Sequence, residues 1–239
     1  HSTILYGDVN MLNLIPTIKK HRINYNEIKI LFYSRIWCFL GSYTKGGIVN
    51  LEGYEAAYFK NQMAKVIYAM IDVILISNNK YVSSYYKKIE VFKEFFSADY
   101  DSLNSYLSYA LENKFSPSSD KILVSEIRSI LSDLASEFFK VFSSGLSLAY
   151  NKEINGPEQI VRAFKRDHRL LIKKWMFNLF KPSRKNEFNE LICRTYLVGS
   201  IINKDLFSQA VKYYKLINRE ERGNPTYDDI RVNIVKLIF

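Results

Sequence analysis

Cysteine, proline and glycine are scarce in this sequence, with two, five and nine residues among 239. The cysteines, Cys38 and Cys193, lie far apart in apolar stretches. That spacing excludes a disulfide framework and a cysteine-clustered zinc site, and it fits a reducing, cytoplasmic compartment. The shortage of glycine and proline argues against turn-rich β folds and low-complexity linkers. Long uncharged apolar runs are missing too. Arg35 interrupts the run from Ile30 to Tyr43, and Lys65 and Asp72 interrupt Met63 to Ser77, so neither reaches the roughly 18 residues a membrane span needs. No membrane partner is expected. His1 and His21 have no cysteine or carboxylate partners at metal-ligand spacing, and no metal is expected on this chain alone. The segment His1 to Asn10 lacks the basic start and apolar block of a signal peptide. A Gly-rich phosphate loop, a Ser-His-Asp order and a zinc-protease helix are likewise absent.

What is present is apolar and aromatic: 48% of the residues are hydrophobic and 15% are Phe, Trp or Tyr, enough to bury a core without staples. The formal charge is +10, which favours phosphate-bearing partners such as nucleotides, nucleic acids or anionic lipid. Lys-, Asn- and Tyr-rich usage is also what an AT-rich coding sequence yields, so charge alone does not choose a partner.

Periodicity predicts an all-α multi-helix bundle of two packed helical subdomains, with one short amino-terminal strand. Residues 1–24 read as an extended segment containing that strand, Ser2 to Val9, closed by Gly7-Asp8. A first subdomain is expected over 25–117 and a second over 118–239, with Phe115-Ser-Pro-Ser-Ser119 as the break. The pattern predicts a buried helix over 25–43, a central helix over 55–77, and a Ser83- or Ser84-capped helix to about Phe96. Asp99 or Asp101 starts another helix. A long helix over 122–150 follows, its end frayed or bent by Gly145, and Gly156-Pro157-Glu158 opens one running to about Phe180. Helices over 186–202 and 204–218 come next, and Thr226 with Asp229 begins the last one.

Two constellations carry possible chemistry. In the first, Lys65 on the central helix is followed by Lys80-Tyr81-Val82-Ser83-Ser84-Tyr85-Tyr86 at a turn and helix start. An ammonium group with hydroxyls and helix-start amides suits a polyphosphate, and a tyrosine ring suits a base. The bland alternative is a snorkelling lysine beside capping serines. The stretch Gln62-Met-Ala-Lys65-Val-Ile-Tyr-Ala69, then Leu75-Ile76, then Lys80 to Tyr85, resembles the helical domain of nucleotidyltransferases of the polymerase-β-like superfamily. Ile4-Leu5-Tyr6-Gly7-Asp8 is similar to the last strand and turn of their catalytic domain. The resemblance covers Ile4 to Phe96 and implies that Lys65, Ser84 and Tyr85 face the incoming triphosphate and base. It implies ATP or another nucleoside triphosphate with magnesium, acting with a catalytic domain encoded upstream. The Gly-Ser turn and paired carboxylates that hold two magnesium ions in such enzymes have no counterpart here. Gly41-Ser42 is followed by no carboxylate pair, and Asp99-Tyr100-Asp101 by no such turn before it. The chain is therefore expected to bind nucleotide or acceptor without catalysing transfer alone.

The second constellation is Arg162-Ala-Phe-Lys-Arg-Asp-His168. Its spacing resembles the Arg-to-His motif of helical HEPN ribonucleases, which implies a proton-shuttling His168 and a phosphate-holding Arg162. His168 also shares an apolar stripe with Ile160, Phe164, Leu171 and Trp175, the pattern of a core position. A third alternative is a basic scaffold for nucleic acid or protein, with Arg162, Arg166, Arg169 and Lys173 as its charged stripe.

Overall fold

The computed structural model describes residues 23–41, 48–167, 184–218 and 223–236. Among these residues the protein is all-α, a multi-helix bundle whose sole extended pairing is an isolated antiparallel bridge between Leu51 and Ile122. The expected strand within Ser2 to Val9 lies outside the described residues, as do His1, His21 and His168.

The first apolar stretch forms α1 (Asn26–Ile36) and the single turn α2 (Cys38–Gly41), both buried through Ile28, Phe32, Ile36, Phe39 and Leu40. The central helix α3 (Gly53–Ser77) begins two residues earlier than the pattern predicts. Gly53 enters it at φ +58°, a left-handed value that suits a residue without a side chain, while donating its N–H to Ser119 O at 2.9 Å. Apolar residues on nearly every side of α3 become buried because α1, α4, α6 and α7 surround it. The expected stop at Asn78-Asn79 is a real one: Asn78 Nδ2 donates to Ile74 O at 2.8 Å, and Asn79 is left-handed at φ 56°.

Ser84 caps α4 (Tyr85–Phe95), and Asp101 opens the short α5 (Asp101–Ser105), which a kink at Tyr106 separates from α6 (Leu107–Phe115). The segment around Pro117 then crosses to α7 (Val124–Tyr150). Its hydrogen bonds run back to the start of α3, with Lys60 Nζ 3.3 Å from Ser118 Oγ and Leu51 and Ile122 exchanging N–H to O bonds of 3.1 and 2.9 Å. Buried side chains from both sides of Ser118 pack into one cluster.

Helix α7 continues unbroken through Gly145 to a left-handed stop at Asn151, so the predicted fraying at Gly145 does not occur. The reason is packing. A Cβ on Gly145 would sit 2.5 Å from Val73 Cγ1 and 3.1 Å from Ile28 Cδ1, so the missing side chain lets α7 close on α3 and α1. Phe32 sits at the centre of the aromatic core, with ring centroids 5.3, 5.4 and 5.2 Å from those of Phe138, Phe142 and Phe164. Those contacts join α1 and α7 to α8 (Gly156–Arg166), which carries Pro157 in its first turn. At its end Asp167 forms a buried ion pair of 2.6 Å with Lys29 on α1, whose ammonium lies 3.8 Å from the centre of the Tyr150 ring. The rest of the predicted helix to Phe180 lies outside the described residues.

Helices α9 (Arg184–Gly199) and α10 (Leu206–Ile217) pack as a pair, with Cys193 Sγ 3.3 Å from Ala210 O. The last helix, α11 (Tyr227–Lys236), has the predicted reciprocal cap: Thr226 N donates to Asp229 Oδ2 at 2.8 Å, and Asp229 N to Thr226 Oγ1 at 3.3 Å. Its fully buried Arg231 donates to Leu40 O at 3.1 Å and so fixes the end of α2. No helix among the described residues is long and apolar enough to cross a membrane.

Candidate functional site

One stripe of α3 differs in chemistry from the rest of that helix. Tyr54, Tyr58, Asn61, Lys65, Tyr68 and Asp72 follow each other at spacings of four and three, which puts them on a single face. The face passes from surface to interior: Tyr54 is 81% exposed, Lys65 is half-buried, and Tyr68 is 3% exposed.

The carboxyl end of α6 docks onto this stripe. Asn61 Nδ2 donates to Asn113 O at 3.1 Å and to Lys114 O at 3.2 Å, satisfying carbonyls that a helix end leaves without partners. From that anchored backbone the Lys114 side chain reaches the Tyr85 ring, with Nζ 5.0 Å from its centre. Tyr85 in turn stands edge-on to Tyr68, 4.8 Å between centroids, and to Phe115, 5.6 Å away. Beside them Tyr86 and Phe115 stack within 4° of parallel at 5.6 Å, and both are more than half exposed. Three helices thus bring the Lys114 ammonium and a set of aromatic rings to one place, along the stripe that carries Lys65.

The charges around Lys65 are unbalanced. Burial lowers its pKa from the usual lysine value, and Lys114 and Arg35 lower it further, opposed by Cys38 only in its thiolate form. Burial pushes the Cys38 thiol up to about 11, against the pull of Arg35 and Lys65, so this sulfur is neutral at pH 7. Among the described residues neither Lys65 nor Lys114 forms an ion pair. Arg35 donates through Nη1 to the neighbouring Ser34 O at 3.3 Å and a hydrogen bond from its side chain helps to oppose the rise of the Cys38 pKa, while its buried Nε has no hydrogen-bond partner among the described residues. The hydroxyl of Tyr68 is also buried without a hydrogen bond, and burial followed by Tyr86 and Tyr85 raises its pKa to about 12. By contrast Lys88, one turn into α4, is neutralised by Asp72 at 2.6 Å and lies 4.9 Å from the centre of Tyr81.

Of the three residues singled out from the sequence, Lys65 and Tyr85 therefore border the same cluster, Lys65 on the α3 stripe that carries Tyr68 and Tyr85 against Tyr68 itself. Ser84 is the N-cap of α4, its Oγ accepting from Lys87 N at 3.5 Å, and the first turn of that helix contains no acid. Sequence reasoning missed Asn61, Lys114 and Phe115. Lys114-Phe115 falls where the chain reads as the start of a linker, and only the pairing of a cation with an aromatic residue at a helix end marks it. Arg162 is exposed on α8, and it opposes the rise in the Tyr196 pKa that burial, then Tyr213 and Glu158, bring about. Its neighbour Lys165 hydrogen-bonds the Tyr213 hydroxyl and covers that ring at 4.9 Å. Whether Arg162 meets His168 falls outside the described residues.

No protein-family model, curated protein or solved structure matches this chain. The site has to be read from its own chemistry. Unpaired cations beside exposed ring faces suit a ligand that is anionic at one end and flat and aromatic at the other. Among the described residues no group of three or more His, Cys, Asp or Glu is placed to hold a metal ion. The donor set for the magnesium that the nucleotidyltransferase resemblance implies is therefore not found there, and no metal-dependent step is assigned to these residues.

Proposed function

We propose that the face made by α3, α4 and α6 binds a nucleotide, with Lys65 and Lys114 on its phosphates and the Tyr86–Phe115 pair, backed by Tyr85, against its base. The observation that carries this reading is a pair of lysines lacking any acidic partner among the described residues, Lys65 on the α3 stripe and Lys114 with its ammonium 5.0 Å from the Tyr85 ring, beside which lies a two-ring stack open to solvent. A cation that is half-buried next to other cations costs stability, and an anionic ligand offsets that cost. The exposed stack supplies what a base needs, a rigid π-face whose ordering cost is already met by ring packing.

In this reading the chain is the helical, nucleotide- or acceptor-binding portion of a nucleotidyltransferase-like protein, and the carboxylates for phosphoryl chemistry come from elsewhere. Titration calorimetry of the purified chain with ATP in metal-free buffer tests it. Saturable binding is expected, weakening about tenfold or more in Lys65→Gln and in Lys114→Gln, with both variants at least as stable as the wild type. Equal affinity in wild type and both variants sinks the proposal.

A further inference from the structure

The stripe on α3 does not end at Lys65. Toward the amino end it continues through Asn61 to Tyr58 and Tyr54, whose rings stack at 6.1 Å and 24°, with Tyr54 81% exposed. Two aromatic stacks, Tyr54–Tyr58 near one end of the stripe and Tyr86–Phe115 near the other, therefore flank a stretch holding Lys65 and Lys114, which form no ion pair among the described residues. From Tyr54 to the level of the buried Tyr68, against which Tyr85 packs, the distance is about 21 Å along the helix axis, the length of roughly four to six nucleotides of one strand. A mononucleotide fills one end of it and leaves the second stack with no role.

We infer that this track receives a single-stranded nucleic acid, whose bases stack at both aromatic pairs while its backbone passes over Lys65 and Lys114. The inference rests on the nucleotide-binding reading for the α4–α6 end and adds the occupant of the rest. Alternation of ring faces with cations suits a single strand because every base offers a π-face and every linkage a charge. In a duplex the bases are already stacked on each other, and the exposed rings have nothing to receive.

Fluorescence anisotropy with a labelled six-nucleotide strand of mixed sequence, competed by the same strand unlabelled, by its duplex and by AMP, decides the matter. The hexamer is expected to bind at least tenfold more tightly than AMP and than the duplex, with affinity falling as salt rises. Tyr54→Ala, at a position too exposed to threaten folding, is expected to weaken the hexamer about five- to tenfold and leave AMP unchanged. Lys114→Gln is expected to weaken both. If the hexamer binds no better than AMP, or if the duplex competes equally, the strand inference is overturned while the nucleotide reading stands. Hexamer binding that is indifferent to Tyr54→Ala also overturns it. Sensitivity to Tyr54→Ala with indifference to Lys114→Gln removes the nucleotide site and with it the strand path over Lys114.

Discussion

Lys88 Nζ lies 2.6 Å from Asp72 Oδ1 across the contact between α4 and α3, with both side chains largely out of solvent. Burial raises the Asp72 pKa above 3.8, and Lys88 and then Arg35 oppose that rise. The pair sits immediately behind Tyr85, whose ring centre is 5.2 Å from the Lys88 ammonium, so it holds the helix start that carries the proposed ligand contacts.

Removing the cation alone exposes the weakness of such a pair. Lys88→Met should leave a buried carboxylate without its counter-ion and cost about 3 kcal/mol at neutral pH. The Asp72 pKa then rises further. A carboxyl whose folded pKa exceeds its unfolded one loses stability as pH climbs between the two values, so the variant should recover stability on acidification from pH 7 to pH 5. Urea denaturation at the two pH values measures this, and Asp72→Leu with Lys88→Met should regain most of the loss.

Lys65 illustrates the opposite compromise. Its depressed pKa means that folding disfavours the bound proton, a cost that is full at neutral pH and fades only as pH rises through the lowered value toward 10.5. Partial exposure screens that cost. Lys65→Gln should therefore raise the unfolding free energy slightly, by about a few tenths of a kcal/mol, while weakening nucleotide binding. A variant that is both less stable and unimpaired in binding contradicts this account of the site.

Asn61 is a positioning residue. Its amide spans the last carbonyls of α6, and Asn61→Ala should cost about 1–2 kcal/mol through two lost hydrogen bonds. Because the same contact sets where Lys114 starts, ligand affinity should fall with it. Asn61→Asp, which places a carboxylate against those carbonyls, should be worse on both measures, as thermal unfolding and calorimetry will show.

At Gly145 the prediction is steric. Alanine there gains helix propensity but drives a methyl group to 2.5 Å from Val73 Cγ1, and the net loss should be about 1–3 kcal/mol. Pairing Gly145→Ala with Val73→Ala should restore part of it, a coupling that a double-mutant cycle reads directly.

The helices were legible where a local device writes them into the chain. Pro157, Ser84, Asp101 and the Thr226–Asp229 pair each act within one turn, so sequence places their helix starts to within a residue or two. Gly145 was misread because its reason is a neighbour from α3, more than 70 positions away in sequence. The same distinction runs through the site. Lys65 and Tyr85 stand out by residue type, whereas Asn61, Lys114 and Phe115 gain their meaning only when α6 docks on α3. The Lys29–Asp167 pair, 138 residues apart, left no local trace at all.

The four-and-three spacing on α3 also sets a phase that the proposed strand track depends on. Deleting one residue between Tyr58 and Asn61 would rotate everything before it by about 100° relative to everything after it. Tyr54 and Tyr58 would then leave the line of Lys65, while every side chain kept its identity and the helix kept its length to within a single rise. Homologous chains that preserve this phase but vary its residues, and chains that keep the residues but slip the phase, would be expected to part company in what they hold.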